Sequence, residues 1–148
     1  MKIIATNKRA TFDYDISVKL DAGLILTGSE VKSLRCNSSS IKESYVEYRG
    51  SELWLCNCFI KKYEASSDKE NDPTRKRKLL LNKKELNKLL GSVKRDGFSI
   101  VPITIYFNEM GLVKLNIGLG KGKKKFDKRD SQKLKDWNKK KQRLLKNN

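Results

Sequence analysis

The chain has 148 residues, room for one hydrophobic core, and its 37% hydrophobic content suffices for a single folded domain with polar appendages. Its formal net charge of +17, from 34 Lys and Arg against 17 Asp and Glu, exceeds what solubility requires, so a polyanionic partner is expected: RNA, DNA or an anionic membrane. No stretch approaches the roughly 18 apolar residues of a membrane span, and the N-terminus lacks a signal-peptide apolar core; a cytoplasmic protein is expected.

In chain order, Ala22 to Gly28 is an apolar run bounded by glycines, which predicts a strand. Ser29 is positioned as the N-cap of a short helix, Glu30 to Arg35, with Val31 and Leu34 on one side. Tyr45 to Tyr48 and Glu52 to Ile60 predict a hairpin around Arg49-Gly50-Ser51. Cys36, Cys56 and Cys58 are an odd number with no histidine beside them, so neither a disulfide framework nor a zinc site is expected; small buried hydrophobes are the simpler reading.

Glu64 to Lys78 lacks apolar periodicity, contains Asp72-Pro73 and predicts an exposed loop with a basic far end. After Leu79-Leu80-Leu81, Asn82 is placed as an N-cap with Glu85 three residues on, and Leu86, Leu89 and Leu90 form an apolar stripe that Gly91 would stop or kink. Phe98 to Phe107 is β-branched and aromatic, with Pro102 arguing for an edge or a bulge. Beyond a turn at Asn108 to Gly111, Val113, Leu115, Ile117 and Leu119 alternate with Lys114, Asn116 and Gly118, predicting one core face and one solvent face. The glycines from Gly118 onward are expected to end this strand. Together these elements predict a mainly β protein over residues 1–120: a small closed or partly open barrel, most simply an OB-like closed β-barrel of about six strands with peripheral helices. Pattern alone leaves a sandwich or an RNA-binding α+β fold open.

Residues 121–148 carry 13 basic and 3 acidic side chains, a net of +10, leaving +7 for the rest. Their apolar residues, Leu134, Trp137, Leu144 and Leu145, make too thin a stripe to offset ordering entropy, so this basic tail is expected to be disordered when free. Phe126 and Trp137 among the charges favour stacking on unpaired bases, worth about 1–3 kcal/mol each. No histidine is available as a general base, and Gly118 to Lys123 fits neither the Walker nor the Rossmann glycine spacing, so no enzyme and no cofactor or metal is expected.

Several runs together are similar to the SsrA-binding protein (small protein B) family: Asn7-Lys8-Arg9-Ala10, Ala22-Gly23, Leu26 to Arg35, Ser44-Tyr45-Val46, Asp72 to Leu81 and Gly120 to Arg129. The resemblance implies an OB-like barrel that binds the transfer-RNA-like domain of transfer-messenger RNA (tmRNA), and a tail that becomes helical in the empty mRNA channel and decoding centre of a stalled ribosome. It implies tmRNA and the ribosome as partners, no membrane, and a monomer when free. Asn7, Lys8, Arg9, Asp21, Glu30, Lys32, Arg75, Arg77, Lys78, Leu80 and Asn82 fall where the family contacts tmRNA. Cations there would neutralise phosphates while Asn7, Glu30 and Asn82 would read base or ribose edges. Gly122, Lys123, Lys124, Phe126, Asp127, Lys128, Arg129 and Trp137 are the implied ribosome-reading tail positions. Phe126 departs from the histidine or tyrosine of many members: it keeps the stacking face and loses the polar handle.

Overall fold

The computed structural model describes residues 1–36, 39–63, 72–123 and 136–143. The strands are β1 (Lys2–Thr6), β2 (Tyr14–Leu24), β3 (Ser39–Ser40), β4 (Tyr45–Arg49), β5 (Glu52–Cys56), β6 (Phe59–Ile60), β7 (Arg77–Leu80), β8 (Ser99–Phe107) and β9 (Val113–Gly122). The helices are α1 (Ala10–Asp13), α2 (Gly28–Cys36) and α3 (Lys83–Asp96). Seven strands form one antiparallel sheet in the order β1-β8-β9-β2-β7-β5-β4, and β3 pairs with β6 separately.

The protein is therefore mainly β, but the sheet does not close into the expected barrel. Among the described residues β1 and β4 are its free edges. Bulges between Ile3 and Ala5, Ile16 and Val18, and Pro102 and Thr104 curl it, and β4 comes against β8. No ladder joins β4 to β1, which instead has β3 near it.

The alternation of β9 is realised: Val113, Leu115, Ile117 and Leu119 are all buried in the main core with Leu53, Leu55, Leu79, Leu89 and Ile105. Each such side chain removed from water contributes about 1.5–3 kcal/mol. The opposite face is not simply solvent. Gly118 and Gly120 are buried, β9 continues through them to Gly122, and a smaller apolar cluster of Ala10, Val101 and Ile103 with Tyr14 and Ile16 lies apart from the main core. A Cβ on Gly118 would lie 2.7 Å from Ile103 Cδ1 and 2.9 Å from Ile16 Cγ2, so these glycines admit close neighbours and do not end the strand.

Pro102 sits at a bulge of a strand paired on both sides, the bulge branch of the expectation. The run 52–60 is divided, because Asn57 adopts φ 57° between β5 and β6. α3 passes through Gly91 and ends at Gly97, where φ is 71°. Val93 continues the apolar face beyond Gly91, and Arg95 Nε reaches the Gly91 carbonyl at 3.4 Å. All three cysteines are free; Cys56 and Cys58 are buried as expected, while Cys36 is exposed.

The sheet extends two residues beyond Gly120. Residues 136–143, expected to lack structure in the free chain, form a helix exposed along its whole length. That segment has no Pro or Gly to interrupt a helix.

Candidate nucleic-acid interface

The chain enters α2 through a capping box that begins two residues earlier than Ser29: the Thr27 hydroxyl accepts from Glu30 N–H at 3.2 Å, and Glu30 Oε1 accepts from Thr27 N–H at 2.9 Å. The Thr-x-x-Glu signal was present in the sequence, yet Thr27 was absent from the expected site. Glu30 also pairs with Arg75 through Nε at 3.2 Å and through Nη2, and with Arg77 Nε at 2.6 Å. Arg77 adds bonds from Nη1 to the Cys58 carbonyl at 2.6 Å and from Nη2 to the Pro73 carbonyl at 3.0 Å. Burial pushes the Glu30 carboxyl up, but the bonds from Arg75 and Thr27 and the Arg77 charge outweigh it and hold it below the usual carboxylate range.

This placement changes the reading of two residues. Arg77 has a wholly buried side chain on a central strand, so it presents no surface to a phosphate. Glu30, at 6% side-chain exposure, is spent on internal donors and is not open to a base or ribose edge. The basic motif at 75–78 is half frame, because β7 begins at Arg77 between β2 and β5.

The remaining predicted residues of this face do reach solvent. Lys32 is exposed, Lys78 is half-buried against Glu52 at 3.2 Å, and Leu80 stands 50% exposed. Asn82 is exposed and caps α3: Oδ1 accepts from Glu85 N–H at 2.8 Å while Nδ2 donates to Glu85 Oε1 at 2.5 Å. Leu80 borders a cleft of about 450 Å³ whose wall includes Leu26, Val31, Arg35, Leu112 and Lys114. Arg35 belongs to the family-like run but not to the implied contacts, and Lys114 carries no motif signal; the fold brings both beside Leu80. Asp21 is exposed on β2, taking a bond from Asn116 Nδ2 at 3.0 Å. Burial, and then the bond to Asp21, push the Tyr106 hydroxyl above its usual pKa.

Asn7, Lys8 and Arg9 lie elsewhere. Asn7 bonds to Pro102 and Ile103 carbonyls at 3.2 and 2.7 Å, Lys8 is exposed, and Arg9 pairs with Asp13 at 3.6 Å. Asn7 and Arg9 line a cleft of about 320 Å³ with Tyr14, Lys42 and Tyr45. Tyr14 faces Gly122, whereas Gly23, nine residues along β2, faces Leu80. At about 3.3 Å per residue the two groups stand roughly 25–30 Å apart. The tail leaves from the Asn7 end, where Lys123 N–H donates to the Asp13 carbonyl at 2.8 Å. Gly122 is thus a sheet residue and Lys123 is half-buried. Trp137 is 59% exposed on the 136–143 helix. Lys124, Phe126, Asp127, Lys128 and Arg129 lie outside the described residues.

Among the described residues no group of three or more His, Cys, Asp or Glu side chains is arranged to hold a metal ion, and no helix is long and apolar enough to cross a membrane.

The SmpB protein family matches residues 4–147. An SsrA-binding protein of Ehrlichia canis is 50% identical over 148 residues, the full length of both chains. One of Agrobacterium fabrum is 49% identical, covering 99% of this chain and 92% of that protein. A solved structure described as "tmRNA-SmpB: a journey to the center of the bacterial ribosome" superposes with a TM-score of 0.65 at 47% identity, covering 81% of this chain and 84% of that one. With a match across nearly its whole length, the chain belongs to the SmpB family.

Proposed function

We propose that this chain is an RNA-binding adaptor that holds the transfer-RNA-like domain of tmRNA and delivers it to stalled ribosomes, so that incomplete proteins are tagged and the ribosomes rescued. The observation that carries the reading is the likeness, at 47% identity, to the chain solved in a tmRNA-SmpB study of the bacterial ribosome. The chemistry supports it. The curled sheet, read as an open OB-like scaffold, presents Lys32, Arg75, Lys78, Leu80 and Asn82 around β7 and the start of α3. That set combines phosphate-neutralising cations with an apolar contact and an amide, the mixture that recognises folded RNA by shape and edge. Lys8 and Arg9, at the end from which the tail departs, form a second cationic surface. In this reading the scaffold ends at about Gly122 and the +10 tail enters the mRNA channel and decoding centre. The chain then works as an adaptor and not an enzyme.

Truncation after Lys123 keeps every sheet pairing found among the described residues. It is expected to preserve binding to the tmRNA transfer-RNA-like domain within about threefold and to abolish tagging in a reconstituted stalled-translation assay. Equal loss of both refutes the division of labour. Affinity for random polynucleotide equal to that for tmRNA at moderate salt favours a general RNA binder instead.

A further inference from the structure

Glu30 and Arg77 are the buried charged side chains among the described residues, and they are bonded to each other. A carboxylate offers about four acceptor positions. Those of Glu30 meet four donors: Thr27 N–H, Arg75 Nε, Arg75 Nη2 and Arg77 Nε. Arg77 is engaged at all three of its nitrogens. One carboxylate against two guanidiniums leaves a single positive charge. Arg75 alone of the three carries it to the surface, with 29% side-chain exposure against 6% for Glu30 and 0% for Arg77.

Burying an ion pair is weak evidence for stability, because the desolvation cost offsets the attraction. What the arrangement supplies is orientation. Arg75 follows the Asp72-Thr74 turn, and a free arginine there would sample many rotamers, each to be lost on binding. Here its Nε edge is held by Glu30 and its Nη1 by the Lys76 carbonyl at 3.3 Å.

We propose that Glu30 and Arg77 act on RNA only through Arg75: they are positioning residues that fix its guanidinium outward in advance, and Glu30 is not itself an RNA ligand. The inference rests on the reading that this face binds the transfer-RNA-like domain. It assigns the phosphate contact to Arg75 and the specificity of its placement to the buried pair.

The test measures the full-length chain with the transfer-RNA-like domain of tmRNA across a salt series, for wild type, R75A, E30Q and E30Q/R75A. R75A is expected to weaken binding and to lower the salt slope by about one phosphate's worth. E30Q is expected to weaken binding about tenfold with a similar drop in slope. The double variant should match R75A within about twofold. R75A with wild-type affinity and slope overturns both the interface and the inference. R75A weakened, but E30Q costing as much again in its background, overturns the inference alone, since Glu30 would then touch RNA itself. A second measurement needs no variant: in the RNA-free wild type, the Arg75 Nε–H order parameter is expected near the rigid-backbone value of about 0.85, well above that of Arg49. An Arg75 as mobile as Arg49 overturns the positioning role even if E30Q fails to fold.

Discussion

Gly120 and Asp15 pass so closely between β9 and β2 that a Cβ on Gly120 would lie 2.8 Å from the Asp15 carbonyl oxygen. The neighbour is backbone, held in a ladder, and has no rotamer by which to withdraw. G120A is therefore expected to cost roughly 1–3 kcal/mol, read as a lower urea midpoint at unchanged m-value. At Gly118 the nearest atoms are Ile103 and Ile16 side chains, so G118A should cost less than G120A; the reverse order would contradict the packing.

Asn82 has a cap to hold and, in the proposed interface, an amide to offer. N82A removes both and is expected to cost about 1 kcal/mol of stability along with RNA affinity. N82D keeps the acceptor for Glu85 N–H and loses the amide donor. It should recover most of the stability while RNA binding stays impaired, by thermal melting and filter binding on the same samples. Recovery of both would leave Asn82 as a cap alone.

The three thiols differ in access. Burial pushes the Cys58 thiol up to about 11, with the Arg77 charge opposing and Glu30 adding to the shift, and burial and Glu47 raise that of Cys56. Cys36 is exposed at the end of α2. In native protein at pH 8 a thiol reagent should modify Cys36 quickly and the other two only after denaturant is added. Rapid labelling at Cys58 would mean that the Arg77 region opens readily.

Glu30 links stability to pH. Its folded pKa lies below its ordinary value of 4.5, so the folded state binds the proton more weakly than the unfolded one. The stabilisation is fully present above about 4.5 and is lost as pH falls through the depressed folded value. Wild type should accordingly begin to lose its advantage over E30Q in urea midpoint once the pH falls below about 4.5. Exposed Glu47, which Lys76, Arg49 and Cys56 bond and hold at about 2, should still be ionised there by carboxyl NMR.

Where one element carries its own instructions, the sequence was readable. β9 declares itself by strict alternation, α3 by Asn82 and a leucine stripe, and the turn at 108–111 by Asn108, whose Oδ1 takes Met110 and Leu112 N–H at 3.0 and 2.9 Å. The first half of β2 carries no apolar pattern because its residues are mostly exposed; it is a strand through its ladder with β9, whose partners lie about a hundred residues away. β1 is likewise made by β8. The site divides in the same way. Lys32, Leu80 and Asn82 stand on the surface where the family resemblance implies contacts, while Arg35 and Lys114 reach the same cleft from distant segments.

By itself the sequence determined that the chain would be mainly β, strongly basic, tailed by a run of cations and built on the motifs of its family, because composition, period and local caps are properties of neighbouring residues. Only the tertiary structure decided that the sheet stays open, that Asn7 and Leu80 stand at opposite ends of β2, and that Arg77 is frame while Arg75 is surface. Arg75 precedes β7 and Arg77 begins it, and whether a side chain there meets core or solvent depends on what the distant chain lays over it. Here Glu30, 47 positions before Arg77, covers it with a buried carboxylate.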